Sequence, residues 1–328
     1  MRTNISFDKT LTTSYHAAEE IMKDRATSFY QAFHQLPTER FQGVAAVYAF
    51  CRYADDTVDQ ASLRQKGSEL EQLDRLEAKL RAMYTEQHNW ELSDDQPWWP
   101  AFADTVRRFA IPIDSFLHQI EGQRRDADFS DVQTMGELLE YCRLVAGSVG
   151  TMLLPLLVAD DADLDNSEFV HACQSLGVGM QITNILRDVG EDLKTRNRIY
   201  LPADLLKEYR ITRVELLELA ACTDESRLQA AIPQSFILLW ERLAMLADEY
   251  YFEYENWISW FHPSCQIPLT SAALVYRAIA DAVRGQSYNC FSKRCYTDAA
   301  TRAVLIASAT KRVMRQKHKL PVAVCSTT

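Results

Sequence analysis

Glycine and proline are scarce in this chain, with ten of each in 328 residues. Such sparse punctuation suits long helices better than a fold of many turns. Alternation of apolar and polar residues, the mark of strands, is missing at any useful length, so the pattern predicts helices throughout. No stretch reaches the roughly 18 uninterrupted apolar residues of a membrane span. The N-terminus, MRTNISFDKT, lacks the apolar centre of a secretory signal. Eight cysteines are present but no C-x-x-C and no zinc-type spacing, which predicts reduced thiols in a cytoplasmic protein. Excess positive charge is also absent. A formal charge of −10 argues against nucleic acid as a main partner, so an anionic ligand would need local charge and metal. With 47% hydrophobic residues a large core can form, and one all-α domain is expected.

What stands out is the stretch 181–202, QITNILRDVGEDLKTRNRIYLP. On a helix, Gln181, Asn184, Asp188 and Asp192 fall at i, i+3, i+7 and i+11 and share a narrow stripe. Ile182, Ile185, Leu186 and Val189 form the adjoining apolar wall. Carboxylates one turn apart repel when ionised and gain from a cation between them. Lys194, Arg196 and Arg198 follow directly and suit an anion. The same geometry occurs in YAFCRYADDTVD (48–59), where Tyr48, Arg52, Asp55 and Asp59 are in line and Asp56 lies beside them. Two acidic helices with bases nearby point to a metal-bridged phosphate. The spacing alone is weak, since about one D-x-x-x-D is expected by chance in such a chain. Asp161 and Asp165 have it too, in an acidic run without apolar periodicity that reads as a solvated loop.

Helices are expected over 14–34, 36–59, 67–86, 102–110 and 114–126, with 88–100 as a loop in which Trp98 and Trp99 plug the core edge. His118 reads as a structural or surface residue. One long buried helix is predicted over 134–158, where Tyr141, Val145, Ser148 and Met152 stripe one face. Ala146, Gly147 and Gly150 beside that face fit close packing or an open cavity equally well. Beyond the organising helix (166–192) and its basic exit, helices follow near 203–209, 213–221, 225–231, 233–258, 268–288 and 297–317. The aromatic-rich 233–258 segment reads as core.

Taken together, SFYQAF (28–33), YAFCRYADDTVD, YCRLVAGSVG (141–150) and the second acidic stretch resemble the squalene/phytoene synthase family over most of the chain. Within it the sequence is most similar to bacterial dehydrosqualene (4,4'-diapophytoene) synthases, then to bacterial phytoene synthases. The resemblance implies an all-α, single-domain isoprenoid (terpenoid) synthase fold with a central active-site cavity. The catalytic domain would span 14–317, between tails at 1–13 and 318–328. It implies that Asp55, Asp59, Asp188 and Asp192 hold Mg²⁺, with Mn²⁺ as a substitute, against two prenyl diphosphates. Gln181 and Asn184 would support that site. Arg52, Arg198, Arg284, Ser28 and Phe29 would contact diphosphate. Tyr48, Arg52 and Tyr141 would act at the reacting centre. Around Ser28 the chain reads RATSF where the family often has HSKSF.

The implied reaction is head-to-head condensation of two farnesyl diphosphates to dehydrosqualene through presqualene diphosphate, in carotenoid biosynthesis and without NADPH. Phytoene synthesis from geranylgeranyl diphosphate and squalene synthesis are the alternatives. Phe33, Ala45 and Val145 would set chain length: a Phe at position 33 matches the C15 pattern, whereas the small Ala45 leaves room for a longer tail. A class I terpene cyclase would need an N-x-x-x-[ST]-x-x-x-E motif, and Asn184 is followed instead by Asp188 and Asp192. A non-enzymatic assembly protein would be free to lose acids that are all present here. Peripheral membrane contact for product release and a downstream desaturase are the remaining expected partners.

Overall fold

The computed structural model describes residues 2–59, 68–85 and 96–319, without the side chains of 2–9, 59 and 317–319. Every named element in them is helical, and the one extended pairing is an isolated bridge between Val158 and Phe261. No helix in these residues is long and apolar enough to cross a membrane. The first helix, α1 (Arg2–Arg25), begins well before the expected residue 14. It stops at Ala26, whose extended φ of −139° separates it from α2 (Thr27–Phe33). The expected single helix over 14–34 is therefore two, broken inside the RATSF segment. Tyr15 anchors α1 by donating to Asp104 Oδ2 at 2.8 Å on α5 (Trp99–Phe109).

The first acidic stretch lies on α3 (Thr38–Asp59), which packs against α1 and α5. Phe50 on α3 stacks on Phe102 of α5 at 4.8 Å, and the same Phe102 meets Trp98 and Trp99. Both tryptophans are buried in the core, as expected. Next come α4 (Ser68–Thr85) and α6 (Ile113–Ala127), which pack on each other. His118 lies exposed on α6.

The expected long helix at 134–158 is interrupted. It consists of α7 (Met135–Cys142), a π-helical turn (Arg143–Gly147) and α8 (Ser148–Leu157). The backbone is closely packed on both sides of that turn. Val145 presses on Gly122 of α6, where an added Cβ would lie 2.6 Å from its Cγ1. On the other side the backbone meets α9 (Ser167–Arg196) directly. A Cβ on Gly177 would lie 2.2 Å from the Ala146 carbonyl, and one on Gly150 would lie 2.4 Å from the Cys173 carbonyl. The small residues thus serve close packing at this face. Such π turns recur at functional sites because they re-aim the side chains around them.

The long α9 crosses the core, and Asn166 caps it by accepting from the Phe169 amide at 3.0 Å. It runs to Arg196, one turn beyond the expected end at 192, and stops there because Asn197 adopts φ 53° and closes the last turn. Arg198 therefore stands on an extended exit. The small helices α10 (Ala203–Glu208), α11 (Arg213–Ala221) and α12 (Glu225–Ala231) follow. Next, α13 (Gln234–Tyr251) and a 3₁₀ segment (Glu253–Trp260) supply Trp240, Tyr251 and Tyr254, all fully buried in the core. The last helices are α14 (Pro263–Gly285) and α15 (Ala299–Lys319). Asp161 and Asp165 are exposed in the loop before α9, as a solvated run should be.

Candidate active site

On α9 the predicted stripe is real in three dimensions. Asn184 donates to Gln181 Oε1 at 3.1 Å, and Tyr276 on α14 donates to Asn184 Oδ1. Asp188 is held by two guanidinium groups. Arg187 reaches it through Nε at 2.7 Å and Nη2 at 2.5 Å, and Arg294 through Nε at 3.2 Å and Nη2 at 3.3 Å. Arg294 arrives there because Gly190 lets another backbone lie on the helix. A Cβ at Gly190 would lie 2.0 Å from the Phe291 carbonyl, and its amide donates to Cys290 O at 2.9 Å. Asp192 is buried and pairs with Arg196 at 3.0 Å. Burial, with the Asp188 charge adding to it, pushes the Asp192 carboxyl up to about 7.

The first stripe is built with fewer cations. Arg52 pairs with Asp56, and its Nε is buried without a hydrogen-bond partner among the described residues. Asp55 accepts a hydrogen bond from Gln123 on α6. Burial raises the Tyr48 hydroxyl, with Arg52 opposing that shift and Asp55 and Tyr276 reinforcing it. Tyr48 and Tyr276 are thus within electrostatic reach of each other. Asp59 ends α3, and its side chain lies outside the described residues.

Two bridges bring the acidic helices to one place. Through α14, Tyr276 links Asn184 on α9 to the neighbourhood of Tyr48 on α3. Through α6, Gln123 holds Asp55 while Asp126, one turn later, holds the exit of α9. Tyr141 donates to Asp126 Oδ2 at 2.9 Å and Tyr200 to Oδ1 at 2.8 Å. Arg198 donates to the Asp126 carbonyl at 2.6 Å and to Tyr200 at 3.3 Å. The rings of Tyr141 and Tyr200 stack with centroids 5.1 Å apart. So Tyr141 and Arg198, matched from distant motifs, share one buried cluster.

Phe29 lies near this ensemble, 5.2 Å from the Tyr276 ring, and stacks on Phe33 at 6.0 Å. Ser28 is half-buried in the first turn of α2. Phe33 and Ala45 are buried, and Val145 sits on the π turn against Gly122. Arg284 is not brought to the cluster. Its guanidinium forms a two-point pair with Glu241, 2.8 Å at each contact, and a further bond to Asp281 at 2.7 Å. It lies two turns past Tyr276, and the cation beside Asp188 is Arg294 instead. Gln123, Asp126, Tyr200, Arg187 and Arg294 carry no prediction from sequence. A signal existed for Tyr200, which alternates with Arg198 along the extended exit. Gln123 and Asp126 share a face of α6, but nothing local marks that face as facing the acids.

The side chains suit a hard divalent cation. They offer carboxylate and amide oxygens, and burial beside Asp188 disfavours the ionised form of Asp192, a cost that a bound cation would relieve. Among the described residues no three carboxylates, imidazoles or thiolates converge on a point.

Residues 22–301 match the squalene/phytoene synthase family. Phytoene synthase 2 of Oryza sativa subsp. japonica is 31% identical over 91% of this chain and 70% of its own length. The 4,4'-diapophytoene synthase of Staphylococcus haemolyticus (strain JCSC1435) is 31% identical over 85% of this chain and 90% of its own. In three dimensions a ligand-bound dehydrosqualene synthase superposes with a TM-score of 0.79 at 33% identity, covering 94% of this chain and 99% of that one. A squalene synthase of Alicyclobacillus acidocaldarius, at 24% identity and a TM-score of 0.67, shares the fold. Family members are prenyltransferases that use prenyl diphosphates. With two acidic helices joined through α6 and α14 in that isoprenoid-synthase fold, the chain belongs to the squalene/phytoene synthase family.

Proposed function

We propose that the protein joins two farnesyl diphosphates head to head to give dehydrosqualene through presqualene diphosphate, without a reductant. The observation that supports this reading is the linkage of the two acidic helices, through Gln123 and Asp126 on α6 and through Tyr276 on α14. An allylic diphosphate leaves once its charge is neutralised. Arg52, Arg198 and Arg294, with the amides of Gln181 and Asn184 and the α2 segment at Ser28 and Phe29, would bind its oxygens. Mg²⁺ held by Asp55, Asp59, Asp188 and Asp192 would supply further charge neutralisation, with Mn²⁺ as a substitute. The aromatic rings of Tyr48, Tyr141 and Phe29 would face the allylic cation and keep water from it. Arg284 has no part in this reading, since Glu241 and Asp281 occupy it.

Farnesyl diphosphate is favoured by buried Phe33, stacked on Phe29. A benzyl group at the pocket floor fills the space an added isoprene unit needs, and overfilling costs about 1–3 kcal/mol. Phytoene synthesis is the second reading, supported by the small buried Ala45 and by the phytoene synthases among the relatives. The test is incubation with Mg²⁺ and either farnesyl or geranylgeranyl diphosphate, with and without NADPH. Dehydrosqualene should dominate in both conditions. Phe33→Ala should raise use of geranylgeranyl over farnesyl diphosphate by about tenfold, the factor that ~1.4 kcal/mol represents. Wild-type protein that makes phytoene faster, or squalene when NADPH is present, overturns the substrate or the reductant part.

A further inference from the structure

The last helix departs in charge from the molecule that carries it. In a chain of formal charge −10, α15 has six cations, Arg302, Lys311, Arg312, Arg315, Lys317 and Lys319, and no acid. Its inner face is fixed to the body of the protein. Ala309 and Val313 are buried, and Arg312 pairs with buried Glu255 of the 3₁₀ segment at 3.2 Å. Arg302 donates to Gln31 on α2 at 3.0 Å. The outer face has no such use. Ala300, Val304, Ala307, Lys311, Met314 and Arg315 recur at helical spacing, and all are exposed. Val304, at 68%, is the most exposed large apolar side chain among the described residues, and Met314 is 59% exposed.

We propose that the outer face of α15 docks the protein on a bilayer that contains anionic lipids. Val304 and Met314 enter the boundary between head groups and acyl chains, and Lys311 and Arg315 meet the lipid phosphates. Long basic side chains do both at once, laying their stems along the apolar surface with the charge at the head groups. As a whole, a protein of charge −10 is repelled by such a surface. At physiological salt that repulsion is screened beyond about 8 Å, so a local basic face in contact outweighs acids farther away. A second copy fits this face less well. A two-fold contact through α15 would set Lys311 and Arg315 against their own kind.

The place of α15 in the fold gives the docking a use. The helix begins five residues after Arg294, which faces Asp188, and its first turn bonds to α2, which carries Phe29 and Phe33. The lipid-facing stripe therefore starts beside elements of the candidate site. A hydrocarbon product partitions into acyl chains and not into water. That use rests on the head-to-head reading, whereas the docking itself needs no turnover.

The test is co-sedimentation of the full chain, without substrate, with vesicles of phosphatidylcholine alone or with about 30% phosphatidylglycerol. Wild type should partition onto the anionic vesicles at least about tenfold more strongly than onto the neutral ones, and salt at about 0.5 M should remove most of that difference. The double variant Lys311→Glu/Arg315→Glu should bind about thirtyfold less, since each cation near the surface is worth about fivefold. Val304→Ser/Met314→Ser should bind about tenfold less. Both variants should melt as wild type does and keep its activity in detergent within about twofold, because none of the four residues belongs to the candidate site. Equal binding to both kinds of vesicle, or unchanged binding by the charge-reversed variant, would overturn the docking. If the charge-reversed chain does not fold, the comparison of the two vesicles with wild type decides alone. Wild type that stays in the supernatant, as a dimer that both variants split, assigns the face to a second copy and overturns the lipid. Absence of head-to-head product in detergent defeats the functional reading; product without vesicle binding defeats only this inference.

Discussion

The two acidic helices have the same spacing but not the same electrostatics. On α3, Asp55 accepts from a neutral amide, Gln123, and shares the field of Arg52 with Asp56, to which that arginine hydrogen-bonds. On α9, Asp188 is clasped by Arg187 and Arg294, and Asp192 by Arg196. The side chain of Arg187 is 7% exposed, so its pair with Asp188 is a buried one. A copied motif therefore need not copy its function. In the proposed reaction the α9 site would bring two further guanidinium groups, Arg187 and Arg294, to a diphosphate.

The largest effects should come from removing an acid at each site. Asp55→Asn and Asp188→Asn should each lower kcat/KM by about 10³-fold, as loss of a centre of charge stabilisation does. Their melting temperatures should differ. Asp188→Asn strands a buried guanidinium, which costs on the order of 3–5 kcal/mol. Asp55→Asn loses part of its hydrogen bond with Gln123, worth about 1 kcal/mol, and its charge beside Arg52, which keeps Asp56 as a partner. Thermal melts of the metal-free proteins check this, and equal Tm losses would erase the contrast drawn above.

Next in size is the exchange of Arg284 for Arg294 as the working cation. Arg294→Ala should cost about 10²-fold in kcat/KM, because a charge facing Asp188 disappears. Arg284→Ala should leave kcat/KM within about threefold and lower Tm instead, since its partners are Glu241 and Asp281. Steady-state kinetics of the two variants separate these outcomes, and a reversed order would restore Arg284 to the site.

The smallest effect concerns Asp192, whose carboxyl is pushed up to about 7 when folded. Unfolded, it titrates near the ordinary value of about 4. Between those values the unfolded chain releases the proton and the folded chain keeps it. Stability therefore falls as pH rises through that window, and the whole cost is present above it. In chelator, Asp192→Asn should melt a few degrees above wild type at pH 8, about 1–2 kcal/mol, with the gain vanishing near pH 4. A gain independent of pH would show that repulsion and burial are not its source.

How far the site was legible depended on how local its geometry was. The α9 stripe followed from periodicity, because Gln181 to Asp192 span only three turns of one helix. The α14 contribution was misplaced because a helical pattern gives a face and not a height. Arg284 lies eight residues beyond Tyr276, about 12 Å along the axis, and finds different partners there. The break at Ala26 and the π turn at Val145 were missed for another reason. At the π turn the neighbour is distant in sequence, Val145 meeting Gly122 of α6, and at Ala26 no glycine or proline marks the break.

By itself the sequence determined the helical class, the two acidic stripes, the basic exit and the family, since all of these reside in residue type and short-range spacing. Only the tertiary structure decided which distant groups complete the site. Arg294 reaches Asp188 across 106 residues because Gly190 has no side chain to hold the chain away. Asp126 joins Tyr141 to Tyr200 because α6 runs beside both acidic helices' ends. Those contacts are made through space by close packing, and one-dimensional spacing carries no record of it.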